Sequence, residues 1–205
     1  MYKRQAYPQE LADFETVLKK DLAKAGNEKR FAKDKKFWDD QLDALGEPLY
    51  SDVQGPSVLE EARKRHGNPK LRSSDIEMKD LFVAVKDYYL EPGPTKNLID
   101  FCMNHQLSMT NLLLLGIRTY LSKVNNGQED ITIQNFISRR STHDEWTSGG
   151  SRTIMFPCRT VIAPETDFLS AAYEIQNMQN RIYMHSNYDP AFIMDEMRKL
   201  SLIHI

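Results

Sequence analysis

The stretch between residues 107 and 162 restricts the possible folds of this chain more than any other. Residues 110–124 carry apolar side chains at helical spacing, and the turn sequence Asn125-Asn126-Gly127 ends them. In residues 130–137, Ile131, Ile133 and Ile137 share one parity and fit a strand, and a second strand is predicted over residues 153–162 after a polar loop. The residues expected to form the buried side of the helix are Leu112, Leu113, Leu115, Ile117 and Leu121. A buried helix followed by two strands predicts an α/β fold in which helices cover a sheet.

The flanking segments predict more helices and one more strand. Apolar residues recur at helical spacing between residues 9 and 45, and Gly26-Asn27 predicts a break between two helices there. Further helices are predicted over residues 58–65, 95–105, 167–184 and 190–199, and a strand over residues 75–90. We therefore expect a mixed sheet covered by helices.

Composition and charge argue against several classes of function. The net charge is -2 over 205 residues, so the basic footprint of a nucleic-acid-binding protein is lacking. The longest apolar run, residues 112–115, is far shorter than the roughly 20 residues that span a bilayer. Cys102 and Cys158 lie far apart without CxxC spacing and are expected to be free, buried thiols. We expect a cytoplasmic protein that binds neither nucleic acid nor membrane.

Individual residues suggest no convincing catalytic centre. His185 and Asp189 have the spacing of a base and a supporting carboxylate, but Pro190 follows where acyl-transfer motifs of this shape need glycine. A histidine at a helix end is therefore the favoured interpretation. His143 in the polar loop could touch a ligand, although a solvated position is favoured. Residues 148–151, Ser-Gly-Gly-Ser, could cradle a phosphate, but they precede a strand instead of a helix.

The two ends of the chain are related as nucleotide sequences. If Met1 is read from a GTG codon, GTGTATAAGAGACAG encodes residues 1–5, and its reverse complement encodes residues 200–204. Such inverted ends resemble the translated adapter of a transposon-based sequencing library. We therefore expect residues 1–5 and 200–205 to be adapter-derived, and residues 6–199 to be the genuine protein.

Four segments share their order and separation with one known protein family. Residues 31–42 (FAKDKKFWDDQL) contain an aromatic-Trp pair before a Leu, and residues 107–141 run from a helix through a turn and a strand to a closing Arg-Ser. Residues 150–159 (GSRTIMFPCR) are similar to the pattern Gly-x-Phe-Val-Asn-Thr-x-Pro-x-Arg, and residues 185–199 to a His-Gln-x-Tyr-Pro motif. Together they resemble the C-terminal half of a condensation domain of nonribosomal peptide synthetases, within the chloramphenicol-acetyltransferase-like superfamily.

The resemblance implies a set of candidate positions beside a substrate tunnel or in family motifs. Two residues depart from the Gly-x-Phe-Val-Asn-Thr-x-Pro-x-Arg pattern: Ile154 stands where the family has an Asn, and Arg152 where it has a Phe. The loop over residues 138–150 resembles the part that closes the tunnel floor. For the motif positions, maintenance of the fold is favoured over contact with substrate. The candidate positions are Ser138, Arg139, Gly150, Ile154, Pro157, Arg159, His185 and Tyr188.

The resemblance also implies a fold and a reaction. Family members have two acetyltransferase-like lobes in a V, with a tunnel between them. Their His-His-x-x-x-Asp-Gly motif belongs to the N-terminal lobe and does not occur in this sequence. In the family its second His orients or deprotonates an amine that attacks a carrier-bound thioester. Residues 6–199 would then be a C-terminal lobe that forms the far wall of the tunnel and is inactive alone.

The implied partners are the N-terminal lobe, peptidyl carrier proteins and the adenylation domain of the same synthetase. No cofactor is expected to bind directly, because phosphopantetheine arms on the carriers bring both substrates into the tunnel. Relatives that epimerise, cyclise or form esters are an open alternative. A noncatalytic condensation-like module that recruits proteins is another.

Overall fold

The structure, a computed structural model, describes residues 11–44, 49, 51–71, 85–193 and 195. Within these ranges the chain forms seven α-helices, two β-strands and one π-helical turn. In chain order they are α1 (Phe14–Ala25), α2 (Glu28–Asp39), the π-helical turn Asp40–Ala44, α3 (Ser57–His66), α4 (Pro92–Asn104), α5 (Met109–Val124), β1 (Asp130–Ser138), α6 (His143–Thr147), β2 (Thr153–Val161) and α7 (Phe168–Met184).

The predicted break between the first two helices is confirmed. Gly26 ends α1, and its N–H donates to the carbonyl oxygen of Leu22 at 2.9 Å. The side chain of Asn27 accepts a hydrogen bond from the N–H of Arg30 at 3.0 Å and so caps the start of α2. Two residues therefore end one helix and begin the next.

Most of the other predicted elements are confirmed as well. Helices α3, α4, α5 and α7 lie within three residues of their predicted bounds, and both strands within one. Residues 190–193 are helical, as predicted for the start of the last helix. Residues 194 and 196–199, half of that predicted helix, lie outside the described ranges. The loop between the strands contains the short helix α6, which periodicity did not indicate.

The strand predicted over residues 75–90 is not confirmed. Its first part, through residue 84, lies outside the described residues, and residues 85–90 form neither helix nor strand. Val85, Tyr88 and Tyr89 are 85%, 77% and 91% exposed. The prediction is wrong for this part because its β-forming side chains meet no neighbouring strand among the described residues.

Strands β1 and β2 form an antiparallel hairpin, in which Asp130 lies opposite Val161 and Ser138 opposite Thr153. Within the described ranges these two strands make up the sheet. Gln134 lies opposite Pro157. Backbone bonds between residues 139 and 152 and between residues 162 and 129 continue the ladder beyond both ends. Opposite residues in an antiparallel ladder alternate between hydrogen-bonded and non-hydrogen-bonded pairs, and counting from both end bonds makes Gln134 and Pro157 a non-hydrogen-bonded pair. The missing N–H of Pro157 therefore removes no bond between the strands.

One hydrophobic cluster holds the hairpin against α2 and α7. Trp38 stacks on Phe156 with ring centroids 5.3 Å apart, and Phe37 packs edge-on against Trp38 at 5.0 Å. Ile182 of α7 is buried in the same cluster. The indole N–H of Trp38 also donates to the carbonyl oxygen of His185 at 3.3 Å. A single side chain of α2 thus contacts both the hairpin and the end of α7.

A second cluster joins α4, α5 and α7, and it corrects the predicted buried side of α5. Leu112, Leu115 and Leu121 are buried, as predicted, but Leu113 and Ile117 are 55% and 50% exposed. The buried side turns instead through Leu114 and Arg118, because α5 packs against both α7 and β1. The helix therefore buries one broad stripe and leaves a second apolar stripe in solvent.

The two tryptophans provide a matched test of this core. We expect Trp38→Ala to lower the free energy of unfolding by about 3–5 kcal/mol, because it leaves a cavity against Phe156. Trp146 is 66% exposed. We expect Trp146→Ala to change the free energy of unfolding by less than about 1 kcal/mol. Urea unfolding followed by circular dichroism measures both, and equal losses would contradict the packing described.

Candidate functional site

The candidate positions fall in three places: the end of β1, strand β2 with the short segment before it, and the turn after α7. Ser138 and Arg139 lie at the first place, and Gly150, Ile154, Pro157 and Arg159 at the second. His185 and Tyr188 lie at the third. Arg139 joins all three, because its N–H donates to the carbonyl oxygen of Arg152 at 3.1 Å and its Nη1 to that of Ser186 at 3.5 Å.

Arg159 is bonded into the fold. Its side chain is 3% exposed and forms a two-pronged ion pair with Asp130, at 2.9 Å from Nε and 2.6 Å from Nη2. Its Nη1 donates to the carbonyl oxygens of Gln41 at 2.9 Å and Leu42 at 3.4 Å. The guanidinium therefore ties both strands to the π-helical turn after α2, which explains an arginine here without a substrate.

His185 lies at the C-terminal end of α7, as the favoured interpretation predicted. Its Nδ1 is 2.7 Å from Oδ1 of Asp34, a buried residue of α2, and its ring stacks on Phe37 at 4.3 Å. Asp189, the sequence candidate for a supporting carboxylate, instead accepts from the N–H of Ala191 at 2.9 Å. The carboxylate that pairs with His185 thus comes from another helix, and the pair holds α2 against α7.

The remaining positions also pack into the core or the ladder. Tyr188 is buried and packs against Phe31, with ring centroids 5.4 Å apart. Ile154 is partly buried and packs against the cluster around Trp38. Ser138 is exposed at the end of β1. Where the family pattern has an asparagine, this chain therefore places an apolar side chain in the core.

Arg140 organises the loop between the strands. Its Nη1 donates to the carbonyl oxygens of Glu145 and, at 3.0 Å, Ser148, and its Nη2 to that of Gly150 at 2.8 Å. The hydroxyl of Ser148 donates to the Glu145 carbonyl oxygen at 3.2 Å. The Ser-Gly-Gly-Ser segment therefore directs two of its carbonyl oxygens at a guanidinium, which does not favour a phosphate cradle.

Glu145 closes the same loop from the other side. Its Oε2 accepts from the N–H of Ser141 at 2.7 Å, from the Ser141 hydroxyl at 2.9 Å and from the N–H of Thr142 at 3.0 Å. Burial alone would raise the pKa of this carboxyl, but the bonds from Ser141 and Thr142, with that of Lys24, outweigh burial and lower the pKa to about 2. Glu145 is therefore ionised at neutral pH.

Four side chains form what we term the ionic junction, which joins α1 to this loop: Asp21, Lys24, Glu145 and Arg152. Arg152 donates to both carboxylate oxygens of Asp21, at 2.6 Å from Nη1 and 3.2 Å from Nη2. Glu145 lies 3.4 Å from Arg152 and 3.3 Å from Lys24. The arginine that replaces a family phenylalanine is thus 5% exposed and paired with two carboxylates.

Gly150 allows α1 to approach the loop closely. Its φ is 81°, and a Cβ at this position would lie 2.6 Å from Cε2 of Phe14. Both the backbone conformation and the space require glycine here. The match of Gly150 to the family pattern therefore has a structural cause in this chain.

A cleft of about 510 Å³ lies beside the junction, lined by Lys20, Ala23, Lys24 and residues 142–145. Lys20 pairs with Asp144 at 2.6 Å across it, and His143 is exposed at its edge. The exposed position favoured for His143 is confirmed.

The cysteines are free and buried, as predicted. Burial raises the pKa of the Cys158 thiol to about 11, although a hydrogen bond with Gln179 opposes the rise.

In the part of the chain that the structure describes, His, Cys, Asp and Glu side chains form no group of three or more suited to a metal ion. No helix there is long and apolar enough to cross a bilayer.

Sequence reasoning missed Asp34, Arg140 and the ionic junction. One local signal was readable, because Thr142 and Glu145 have the spacing of a capping box, and the structure forms that box at α6. The other partners had no local signal. Asp21 and Arg152, for example, are 131 residues apart in the chain.

The chain matches the model of the condensation-domain family over residues 2–200. It therefore belongs to that family. A plipastatin synthase of Bacillus subtilis (strain 168) is 22% identical over 170 residues, which cover 82% of this chain and 6% of that protein. The relative and the family together support a condensation domain of the nonribosomal peptide synthetase type.

Solved condensation domains share the fold. The first condensation domain of the calcium-dependent antibiotic synthetase, in complex with substrate analogue 2a, superposes with a TM-score of 0.71 at 16% identity. It covers 94% of this chain, and this chain covers 40% of it. The condensation domain of the Monacolin K polyketide synthase MokA gives a TM-score of 0.66 at 12% identity, over 95% of this chain and 42% of that one. The chain thus spans less than half the length of these structures, and the expected α/β fold is confirmed.

Gly150 can be tested against another glycine of similar backbone conformation. Gly127 has a φ of 76°, but a Cβ placed on it would have no atom within 4 Å. We expect Gly150→Ala to lower the free energy of unfolding by about 1 kcal/mol more than Gly127→Ala, because the methyl also displaces Phe14. Chemical unfolding measures the difference. Adding Phe14→Leu should recover part of it, and equal losses for both glycines would refute the contact.

The ionised Glu145 predicts a pH-dependent contribution to stability. Because its pKa falls from 4.5 to about 2 on folding, its contribution is present above pH 4.5 and is lost as the pH falls toward 2. We expect Glu145→Gln to lower the free energy of unfolding by about 2 kcal/mol at pH 7. The deficit should shrink below pH 4.5. Glu15→Gln, which breaks an exposed pair with Lys19, is the control. A deficit independent of pH in urea titrations would contradict the assignment.

Proposed function

We propose that residues 6–199 are the C-terminal lobe of a condensation domain that forms an amide between a carrier-bound acyl thioester and an acceptor amine. The observation that carries this proposal is the family match over residues 2–200. The length of the solved relatives supports it, because a chain that spans about 40% of a condensation domain leaves room for a second lobe.

The bonding of the candidate positions supports an architectural role for this lobe. Arg159 and His185 are each paired with a carboxylate in the fold, with Asp130 and Asp34 respectively. A general base must be within hydrogen-bond reach of the proton that it takes, whereas His185 is 9% exposed and its ring is stacked on Phe37. We therefore assign the base to the His-His-x-x-x-Asp-Gly motif of an N-terminal lobe, with this lobe as the facing wall.

The proposed reaction depends on partner proteins that bring both substrates to the domain. Carrier proteins present the donor and the acceptor on phosphopantetheine arms, and an adenylation domain of the same synthetase loads the carriers. Bringing both tethered substrates together in one tunnel supplies much of the rate, since it replaces a bimolecular encounter. The loop over residues 138–150 would border the floor of that tunnel. The enzyme would act in the cytoplasm, without nucleic acid or membrane.

The test begins with the source DNA on both sides of this sequence. We expect an in-frame His-His-x-x-x-Asp-Gly upstream of Ala6.

The complete domain should then join a loaded donor carrier to a loaded acceptor carrier, and mass spectrometry of the carriers should detect the amide product. Changing the second His of the motif to Ala should abolish the product. Asp39→Asn, which breaks only an exposed pair with Lys35 on α2, should leave the rate unchanged.

Other outcomes would replace the proposal. An ester, a cyclised product or an epimerised donor would place the enzyme among the condensation relatives with those activities. A degenerate motif, with no product but with stable binding of a partner protein, would indicate a noncatalytic recruiting module. Upstream sequence that encodes no second lobe would refute the assignment as a C-terminal lobe.

A further inference from the structure

Helix α1 is held on the rest of the protein by charge more than by apolar burial. Of its twelve residues, Val17 is the buried one, while Leu18 and Leu22 are 44% and 64% exposed. The hydrophobic effect scales with the area removed from water, so one buried valine anchors the helix weakly. The ring of Phe14 over Gly150 adds one more apolar contact.

Three charge pairs supply the rest of the attachment. Lys20 pairs with Asp144 at 2.6 Å, Asp21 with Arg152 at 2.6 Å and Lys24 with Glu145 at 3.3 Å. All three partners lie on the segment from the end of β1 to the start of β2. The three α1 residues fall on one side of the helix, because Lys24 follows Lys20 by four residues and Asp21 by three.

Two residues of the junction also determine the shape of the loop. Glu145 binds Lys24 through one carboxylate oxygen and the amides of Ser141 and Thr142 through the other. Arg152 binds Asp21 through its terminal nitrogens and the carbonyl oxygen of Arg139 through Nε, at 3.2 Å. Each residue therefore bonds to α1 and to the loop backbone at the same time.

These shared bonds have an energetic consequence. If α1 leaves, Arg152 loses the carboxylate of Asp21 and Glu145 loses an ammonium, although both side chains are 5% exposed. Arg152 and Glu145 keep their own 3.4 Å contact, but each loses a partner of opposite charge, which weakens the side chains that also bond to the loop backbone. Docking of the helix and ordering of the loop are coupled through these two side chains.

We propose that α1 is a charge-held brace whose docking sets the conformation of residues 139–152, with Arg152 as the positioning residue. The coupling between α1 and the loop is inferred from the contacts of Arg152 and Glu145. The further claim that α1 sets how the tunnel floor closes rests on the proposed function.

Hydrogen–deuterium exchange of the 205-residue chain tests the brace without substrates. Asp21→Asn keeps the shape of the side chain and removes its charge. We expect the amides of residues 17–25 and 140–150 to exchange about tenfold faster, while those of residues 131–137 and 154–160 keep their rates. Asp39→Asn on α2 is the matched control and should change neither region. Faster exchange in α1 alone, or an equal increase throughout the hairpin, would overturn the proposal.

A second variant keeps the test decisive if Asp21→Asn fails to fold. Lys20 and Lys24 are 57% and 35% exposed, so Lys20→Met with Lys24→Met leaves the pair of Asp21 and Arg152 intact. We expect the same two regions to exchange about threefold faster. Unchanged exchange in the loop would reject the brace. Because exchange is read without carriers or product, a failed brace would leave the proposed function standing, and a failed condensation assay would leave the brace standing.

Discussion

The buried ion pair between Arg159 and Asp130 is the interaction on which the arrangement of the described structure depends. A two-stranded hairpin is marginal by itself and needs packing on a face to persist. Arg159 joins the two strands and also binds the carbonyl oxygens of Gln41 and Leu42 in the π-helical turn. These carbonyls lie at the end of a helical segment, where backbone acceptors lack partners within the helix. One guanidinium thus positions α2, and with it Trp38, over the hairpin.

Other arginines have the same function elsewhere in the fold. Arg118 of α5 is buried and donates to the carbonyl oxygens of Glu129 and Ile162, which flank the hairpin, and burial lowers the pKa of this guanidinium. Arg140 does so in the loop. A guanidinium can satisfy several buried acceptors at once, because it carries five donors in a fixed plane. Guanidinium groups thus bind the carbonyl oxygens of the connections that flank the hairpin and of the loop that joins its strands.

This use of charged residues bears on the proposed role of the lobe. The positions that match the family pattern, such as Gly150, Arg159 and His185, each have a structural reason in this chain. The departures have reasons too, since Arg152 forms the ionic junction and Ile154 packs into the core. A wall with the proposed role of positioning tethered substrates needs rigidity more than reactive groups, and buried ion pairs such as Arg159 with Asp130 contribute to it. The loop between the strands is held by charged side chains to a lightly packed helix.

Local sequence pattern by itself determined most of the helices, both strands and the break between α1 and α2. Apolar spacing, the Gly26-Asn27 break and the turn at Asn126 and Gly127 report interactions between residues a few positions apart, and the structure confirms them. Family resemblance added the fold. The tertiary structure alone decided that His185 pairs with Asp34, that Arg152 pairs with Asp21, and that Leu113 faces solvent. Side-chain periodicity describes only the faces of single elements, whereas these outcomes depend on which elements pack together across more than 100 residues of chain.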